Sequence, residues 1–339
     1  MKILRAEAFV PIMMILVPAK VDAFAVHAQT QGIPYPPKHV SAPDAGQVMK
    51  KGAPLPGAFN GRKHSSGTAL SAAALPAIGQ FAAAAFLPTC LGLWRTGYAV
   101  SYGYGASMLL SGLLQLLAFR GTIQASLSLQ LHSALYIFYG VRLCLFLLHR
   151  EIRFPVEIHQ MTRRDASLSE RLKRLPVIIG CSVLYFCMAA GPMRSLALTN
   201  PKSDILTLGT LSVGFAGFLL AAVGDWYKSN IKARDGPQKL VTTGPFRYFR
   251  HPNYTGEMIG WTCLCVLLPM MSIGGNIRRV IPWLAASVVG WAGMVFAVLI
   301  GEATVGLEKK QKEKYGGTPE YEEWIKSSWS GPMFSGSNK

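Results

Sequence analysis

Apolar residues run almost unbroken through seven stretches of the chain, at about residues 70–94, 97–119, 127–149, 175–195, 205–225, 255–274 and 281–300. Each is near the ~20 residues an α-helix needs to cross the hydrocarbon core of a bilayer. The pattern predicts an all-α fold: a polytopic membrane helical bundle of about seven transmembrane helices, with residues 69–330 as one membrane domain. From about 303 to 327 the chain turns charged and helical again, broken at Gly316 and Gly317, as expected of a surface helix and turn folded over one face of the bundle.

The polar segments outside the bundle read differently. Residues 1–24 have a basic start, a short apolar core and small residues near Ala23, the layout of a signal peptide. Residues 25–68 are rich in Pro, Gly, Ser, Ala, Lys and His, carry Asp44 as their one acidic residue, and show no apolar period, so we expect a disordered tail or a plastid transit segment. The junction "VDAFAV" resembles the cleavage motif of bipartite plastid-targeting presequences in algae with complex plastids; an ordinary endoplasmic-reticulum signal followed by a floppy tail is the alternative. Residues 331–339 are expected to be a flexible C-terminus.

Composition supports the membrane reading, with half of the residues hydrophobic and 15% charged. The formal net charge of +17 does not point to nucleic acid, because the lysines and arginines lie in short breaks between apolar runs. Arg150, Arg153, Arg163, Arg164, Arg171, Lys173 and Arg174 crowd one loop, and Lys228, Lys232, Arg234, Lys239, Arg247 and Arg250 the loop two spans on. By the positive-inside rule these loops and the C-terminal tail face the cytosol or a plastid stroma, and an odd number of spans leaves the mature N-terminus opposite. The six cysteines lie inside apolar segments with no zinc or disulfide spacing, and no metal site is expected.

Ionisable groups at membrane depth cost about 2.5–3.5 kcal/mol each on insertion scales, so those that persist are candidates for function. Here they are His132, Arg142, Asp225, Glu257 and Glu302. In "GDWYKSNIK", Asp225 and Lys228 are three apart on one helical face with Lys232 a turn further on; an interfacial ion pair is the plain alternative. In "FRYFRHPNYTGE", Pro252 suits the first position of a helix, which leaves Arg247, Arg250 and His251 before an N-terminus that favours anions. Arg250, Asn253, Tyr254 and Glu257 follow a 0, 3, 4, 7 spacing, one helical stripe converging on one pocket. Two rival readings of this stretch are a glycosylation sequon at Asn253 and an interfacial anchoring belt. "YGYGAS" lacks the context of a dinucleotide fingerprint and reads as helix-packing glycine, while His132 and Tyr136, four apart, either line a cavity or bond neighbouring helices.

"TGPFRYFRHPNYTGEMIGW", followed about 50 residues later by "LEKKQKEKYGGTPEYEEWIKSSW", resembles the C-terminal half of the steroid 5-alpha-reductase-like membrane proteins, in the branch formerly known as a domain of unknown function. "GDWYKSNIK" and "YGVRLCLFLLHREIRF" extend the resemblance over roughly residues 95–330. It implies a membrane-embedded reductase that passes hydride from NADPH to an activated C=C bond of a lipid or isoprenoid substrate, with the cofactor pocket in the C-terminal half. By matched position, Asp225, Lys228, Tyr248, Arg250, His251, Asn253, Tyr254 and Glu257 are the implied cofactor contacts, and Glu308, Tyr315 and Tyr321 a lid. The family's steroid reductases hold the substrate carbonyl with a Glu and a Tyr from early helices. No acidic residue lies between Asp44 and Glu151 to match that Glu, so either the substrate is not a 3-oxo steroid or a tyrosine works alone, with Tyr102, Tyr104 and Tyr136 the catalytic candidates. The isoprenylcysteine and phospholipid methyltransferases, which use S-adenosylmethionine, carry a similar Arg-His-Pro-x-Tyr helix and form the first alternative; a non-catalytic lipid-binding protein is the second. An endoplasmic-reticulum or complex-plastid membrane is the expected location.

Overall fold

The computed structural model describes residues 76–119, 126–155, 167–201, 203–271, 273 and 277–331. The expected signal peptide, the 25–68 segment and residues 332–339 lie outside them. The fold is an all-α bundle: α1 Ile78–Thr89, α2 Tyr102–Phe119, α3 Leu127–Arg153, α4 Leu175–Thr199, α5 Ile205–Asp235, α6 Pro252–Thr262, α7 Ile277–Ala292, α8 Val305–Tyr315 and α9 Pro319–Ser327. Helix α6 continues through a π-helical turn, Cys263–Leu267, to Met271, and α7 runs through a π-helical stretch, Gly293–Thr304, into α8.

Among the described residues, five helices are long and apolar enough to cross a membrane: Tyr102–Phe119, Leu127–Arg153, Leu168–Thr199, Ile205–Asp235 and Ile277–Tyr315. The other two expected spans take another shape. The first becomes the shorter apolar helix Ile78–Trp94. The sixth is the helix that begins at Pro252, whose first two turns carry Asn253, Tyr254, Thr255 and Glu257, so its start is polar where a plain span is apolar.

Local chemistry sets the ends. Ser126 accepts the Leu129 N–H and Asp204 the Thr207 N–H, satisfying donors that open α3 and α5. Asn200 closes α4 in the left-handed region at φ 44°, and Gly236 ends α5 at φ 101°. Packing pairs α2 with α3, α4 with α7 and α5 with α6, lays α1 on α2 and α4, and brings α3 against α5. A Cβ on Gly256 would overlap the Gly217 carbonyl, and one on Gly140 the Gly105 carbonyl, so α5–α6 and α2–α3 touch backbone to backbone. The result gathers the N-termini of α2 and α6 and the C-termini of α3 and α5 at one end of the bundle, here called the basic end. The helix joins at the other end hold each other: the Ser126 N–H donates to Asn200 Oδ1 and the Ser128 hydroxyl to Ser203 Oγ.

Candidate functional site

One buried charge cluster joins three helices, about three turns from the basic ends of α3 and α5 and about one turn from that of α6. Arg142 of α3 donates through Nη1 to Asp225 Oδ2 of α5 at 2.7 Å and through Nη2 to Glu257 Oε1 of α6 at 2.8 Å. The side chains retain 8, 13 and 9% of their exposure. A fork-shaped guanidinium meets two carboxylates, each giving one oxygen and keeping its second. The Arg142 guanidinium also lies 4.6 Å from the centre of the Tyr139 ring, so its flat face packs on an aromatic floor.

More positive charge gathers there than the carboxylates absorb. Arg150, two turns along α3 from Arg142, has a buried Nε with no acceptor. Lys228 lies with Nζ 6.0 Å from the Phe246 ring centre and makes no ion pair among the described residues. The charges of both are felt at Asp225. Tyr254, half-buried, sits in the field of Asp225, Glu257 and Arg150. Lys232, a turn further on, gives its ammonium to the Pro237 carbonyl at 2.7 Å.

The chain's return covers this end. Glu308 of α8 accepts from Arg250 Nη1 at 2.9 Å and pairs with His251 Nε2 at 2.8 Å. Burial pushes the His251 pKa down from its ordinary value, with the Glu308 carboxylate acting against that shift. Residues after α9 run beside the opening stretch of α6: the Arg250 N–H donates to the Trp329 carbonyl and the Trp329 N–H to the Tyr248 carbonyl, both at 2.9 Å. Trp324 donates its indole N–H to the Phe246 carbonyl at 2.7 Å. The tail is thereby strapped over the α6 N-terminus, where His251 offers no side-chain cap.

The expected site residues fall into groups. Asp225, Lys228, Tyr254 and Glu257 come together, while Arg250, His251 and Glu308 form the strap above them. The expected single stripe from Arg250 to Glu257 needs correction: Pro252 opens the helix, so Arg250 lies in the bend before it and turns to Glu308, whereas Glu257 turns inward to Arg142. Asn253 is half-buried at the first turn. Tyr248 is 65% exposed and contributes its carbonyl rather than its ring. Tyr321 is buried with Leu240 and Trp324 under the tail, and Tyr315 donates to the Gln238 carbonyl at 2.8 Å.

The three catalytic candidates separate as well. Tyr102 donates to Glu151 Oε2 at 3.0 Å, in a cluster where Tyr98 also reaches Glu151, at 2.7 Å and 2.8 Å from its two oxygens, and Arg95 approaches at 3.4 Å. Burial, then the Glu151 hydrogen bond, pushes the Tyr98 pKa up to about 12. Tyr136 spends its hydroxyl on the Met188 carbonyl at 2.7 Å. The buried hydroxyl of Tyr104 faces that of Tyr139, and Tyr139 faces the Glu257 carboxylate, without either meeting full hydrogen-bond geometry, while the Trp261 indole N–H has no partner among the described residues. These three rings touch, with centres 5.2 Å (Tyr104–Tyr139), 6.2 Å (Tyr104–Trp261) and 4.8 Å (Tyr139–Trp261) apart. Leaving a buried polar group unsatisfied costs about 1–3 kcal/mol, so the Trp261 indole N–H, with the two tyrosine rings packed on it, is the donor here in want of an acceptor.

Several members of this arrangement escape a reading of the sequence. Arg150 hides among the basic residues that signal orientation, and Glu151 in the mixed run "HREIRF". Tyr139, three residues before Arg142 on one helical face, carries a signal that spacing reveals once Arg142 is taken as the centre. Trp261 has none, since an indole in an apolar run is ordinary core.

Residues 99–328, more than half of the chain, match the protein family of unknown function DUF1295, and the chain belongs to that family. No curated protein and no solved structure matches it.

Proposed function

We propose that this family member is a steroid 5-alpha-reductase-like enzyme: a membrane-embedded reductase that uses NADPH to reduce an activated C=C bond in a lipid or isoprenoid-type substrate. The observation that carries the reading is the unbalanced charge beneath the strap. Arg150 and Lys228 lack ion-pair partners beside the uncapped N-terminus of α6, and together they fit the phosphates of a dinucleotide. Asp225 and Glu257 each give one oxygen to Arg142, which leaves the second to accept from ribose hydroxyls or a carboxamide.

NADPH, when bound, supplies the hydride. The chain's own residues supply the rest. Arg142 fixes both carboxylates and keeps their charge from repelling the phosphates. Tyr104, Tyr139 and Trp261 present donors to an oxygen that gains negative charge during reduction, which is how a preorganised site lowers a barrier. The strap of Arg250, His251 and Glu308 excludes water from above. The charge asymmetry of the loops supports a cytosolic or stromal face for this end, in an endoplasmic-reticulum or complex-plastid membrane.

The test is ligand-induced stabilisation of the full chain in detergent. NADPH at saturating concentration is expected to raise the unfolding temperature, and Glu257→Gln to weaken that response. A response to S-adenosylmethionine instead would replace the reductase by a methyltransferase. A response to neither would leave a lipid-binding protein.

A further inference from the structure

The strap over α6 lies at the edge of the bilayer rather than above it. Along α5 the exposed positions change from Val223 and Trp226 to Asn230 and Arg234, the point at which hydrocarbon gives way to headgroups. Helix α6 begins level with that change. A Cβ on Gly224 would come 3.0 Å from the Asn253 backbone nitrogen, and one on Gly244 would overlap the Tyr227 ring, so the chain from 244 to 252 runs between those two levels of α5. Beyond Trp329 the tail turns inward along α6. Gly331 is buried at φ 98°, and a Cβ there would meet Thr255 Oγ1 and Met258 Cε at 3.9 Å, in the first two turns of the helix.

The strap therefore has two unlike sides. Its inner side is committed: Trp324 and Ser328 are buried, and Arg250 donates to the carbonyls of Ile325 at 3.3 Å and Ser328 at 3.4 Å. On its outer side Trp329 is 50% exposed and Tyr248 65%. A parallel bridge pairs Phe249 with Trp329, and their rings meet edge-on with centres 5.8 Å apart. Arg247 is exposed, its guanidinium 6.0 Å from the centre of the Tyr248 ring. An indole, a phenol and a guanidinium at this level fit the boundary of acyl chains and phosphates, where such rings keep an apolar body in lipid and a polar edge in water. They share the level with Trp226, so the outer side of the strap continues the lipid-facing surface.

We infer that a phospholipid surface closes the strap. Trp329 and Tyr248 are seated among the headgroups and Arg247 on a lipid phosphate, so the segment after α9 is held over the α6 N-terminus by the bilayer from outside and by Arg250 and Glu308 from within. Opening the strap then means drawing two aromatic rings out of the interface into water. The inference uses neither NADPH nor the Arg142 cluster, and it stands whatever the strap covers.

The test uses the full chain in phosphatidylcholine nanodiscs, with bromine placed either near the ester end or near the middle of the acyl chains. The Trp329 emission is the difference between the native protein and Trp329→Phe. It is expected to be quenched more by the shallow bromines than by the deep ones, and little by aqueous iodide. Opening of the strap is read as tryptic cleavage after the exposed Lys326, followed by mass spectrometry. Rates are compared in nanodiscs and in amphipol, a polymer that covers the apolar belt without a headgroup layer. Cleavage is expected to be roughly tenfold slower in nanodiscs, the scale of holding part of a large aromatic side chain out of water. Trp329→Gln removes that difference between the two surroundings, and Trp329→Phe keeps most of it; a Trp329 that served only to pack on Phe249 would loosen the strap equally in both. Quenching by iodide with none by brominated lipid would show the face open to water and overturn the inference. Equal cleavage rates of the native protein in nanodiscs and amphipol would overturn it as well.

Discussion

Beneath the Arg250–Glu308 strap, the Glu151 and Arg142 clusters of the basic end spend their hydrogen bonds differently. Around Glu151, two tyrosine hydroxyls and an arginine close on both carboxylate oxygens, tying the chain before α2 to the end of α3. Around Arg142, one guanidinium is shared by Asp225 and Glu257, and each keeps an oxygen over, with unpaired Arg150 and Lys228 alongside. Both clusters combine arginine with carboxylate in the same region of the bundle. In the first both carboxylate oxygens are taken, as suits a cluster that holds; in the second each carboxylate has one oxygen outside the arginine fork, as suits the proposed binding role. Counting unspent donors and acceptors separates the two where residue type does not.

Three experiments press on that difference. The largest effect is expected from Arg142→Met, which leaves Asp225 and Glu257 as uncompensated buried charges; unfolding in detergent should show a loss of about 3–5 kcal/mol. Adding Asp225→Asn and Glu257→Gln should return part of that stability while NADPH stabilisation stays lost, since the pair then no longer repels but still fails to bind. A smaller, opposed pair of effects comes next. Lys228→Gln should weaken NADPH binding about tenfold or more, the scale of one charge-assisted hydrogen bond, with little change in stability of the free protein. Glu151→Gln should do the reverse, costing about 1–3 kcal/mol of stability at unchanged NADPH affinity. If both variants lowered stability and affinity alike, the division into holding and binding clusters would fail.

The smallest effect is that of pH on the strap. Burial lowers the His251 pKa in the folded chain, so below about 6.5 the unfolded chain takes up a proton that the folded one resists. Stability is expected to fall as pH drops through that range, and unfolding temperatures of the native protein and His251→Asn from pH 8 to 5.5 should converge toward the acid side. A native protein whose stability rises on acidification would mean that the Glu308 contact dominates instead.

Much of this organisation was legible in the chain. The apolar runs read correctly as a helical bundle because period and length speak for themselves, and Arg142, Asp225 and Glu257 were conspicuous because charge at membrane depth is costly. What the pattern missed is geometry across helices. Arg250 and Glu257 share a helical spacing, yet Pro252 cuts the helix between them and sends them to different partners. Tyr102 and Tyr104 are two residues apart and looked equivalent, yet one faces Glu151 and the other the interior, because α-helical neighbours at that spacing point apart. The Trp261 contribution depends on rings from α2, α3 and α5 meeting it, which no local signal encodes.

The π-helical turn at Cys263–Leu267 makes α6 two cylinders out of phase, as though one residue had been inserted and never trimmed away. Upstream of it, Glu257 and Trp261 are aimed at Arg142 and the tyrosines; downstream, the helix packs on α4 and α5. Remove a single residue from the turn and the hydrogen-bond ladder becomes regular, but the upstream face rotates by about 100° against the rest. A deletion that improves the helix would thus turn both side chains away from Arg142 and the tyrosines, so the irregularity acts as the keyway that indexes this site to its bundle.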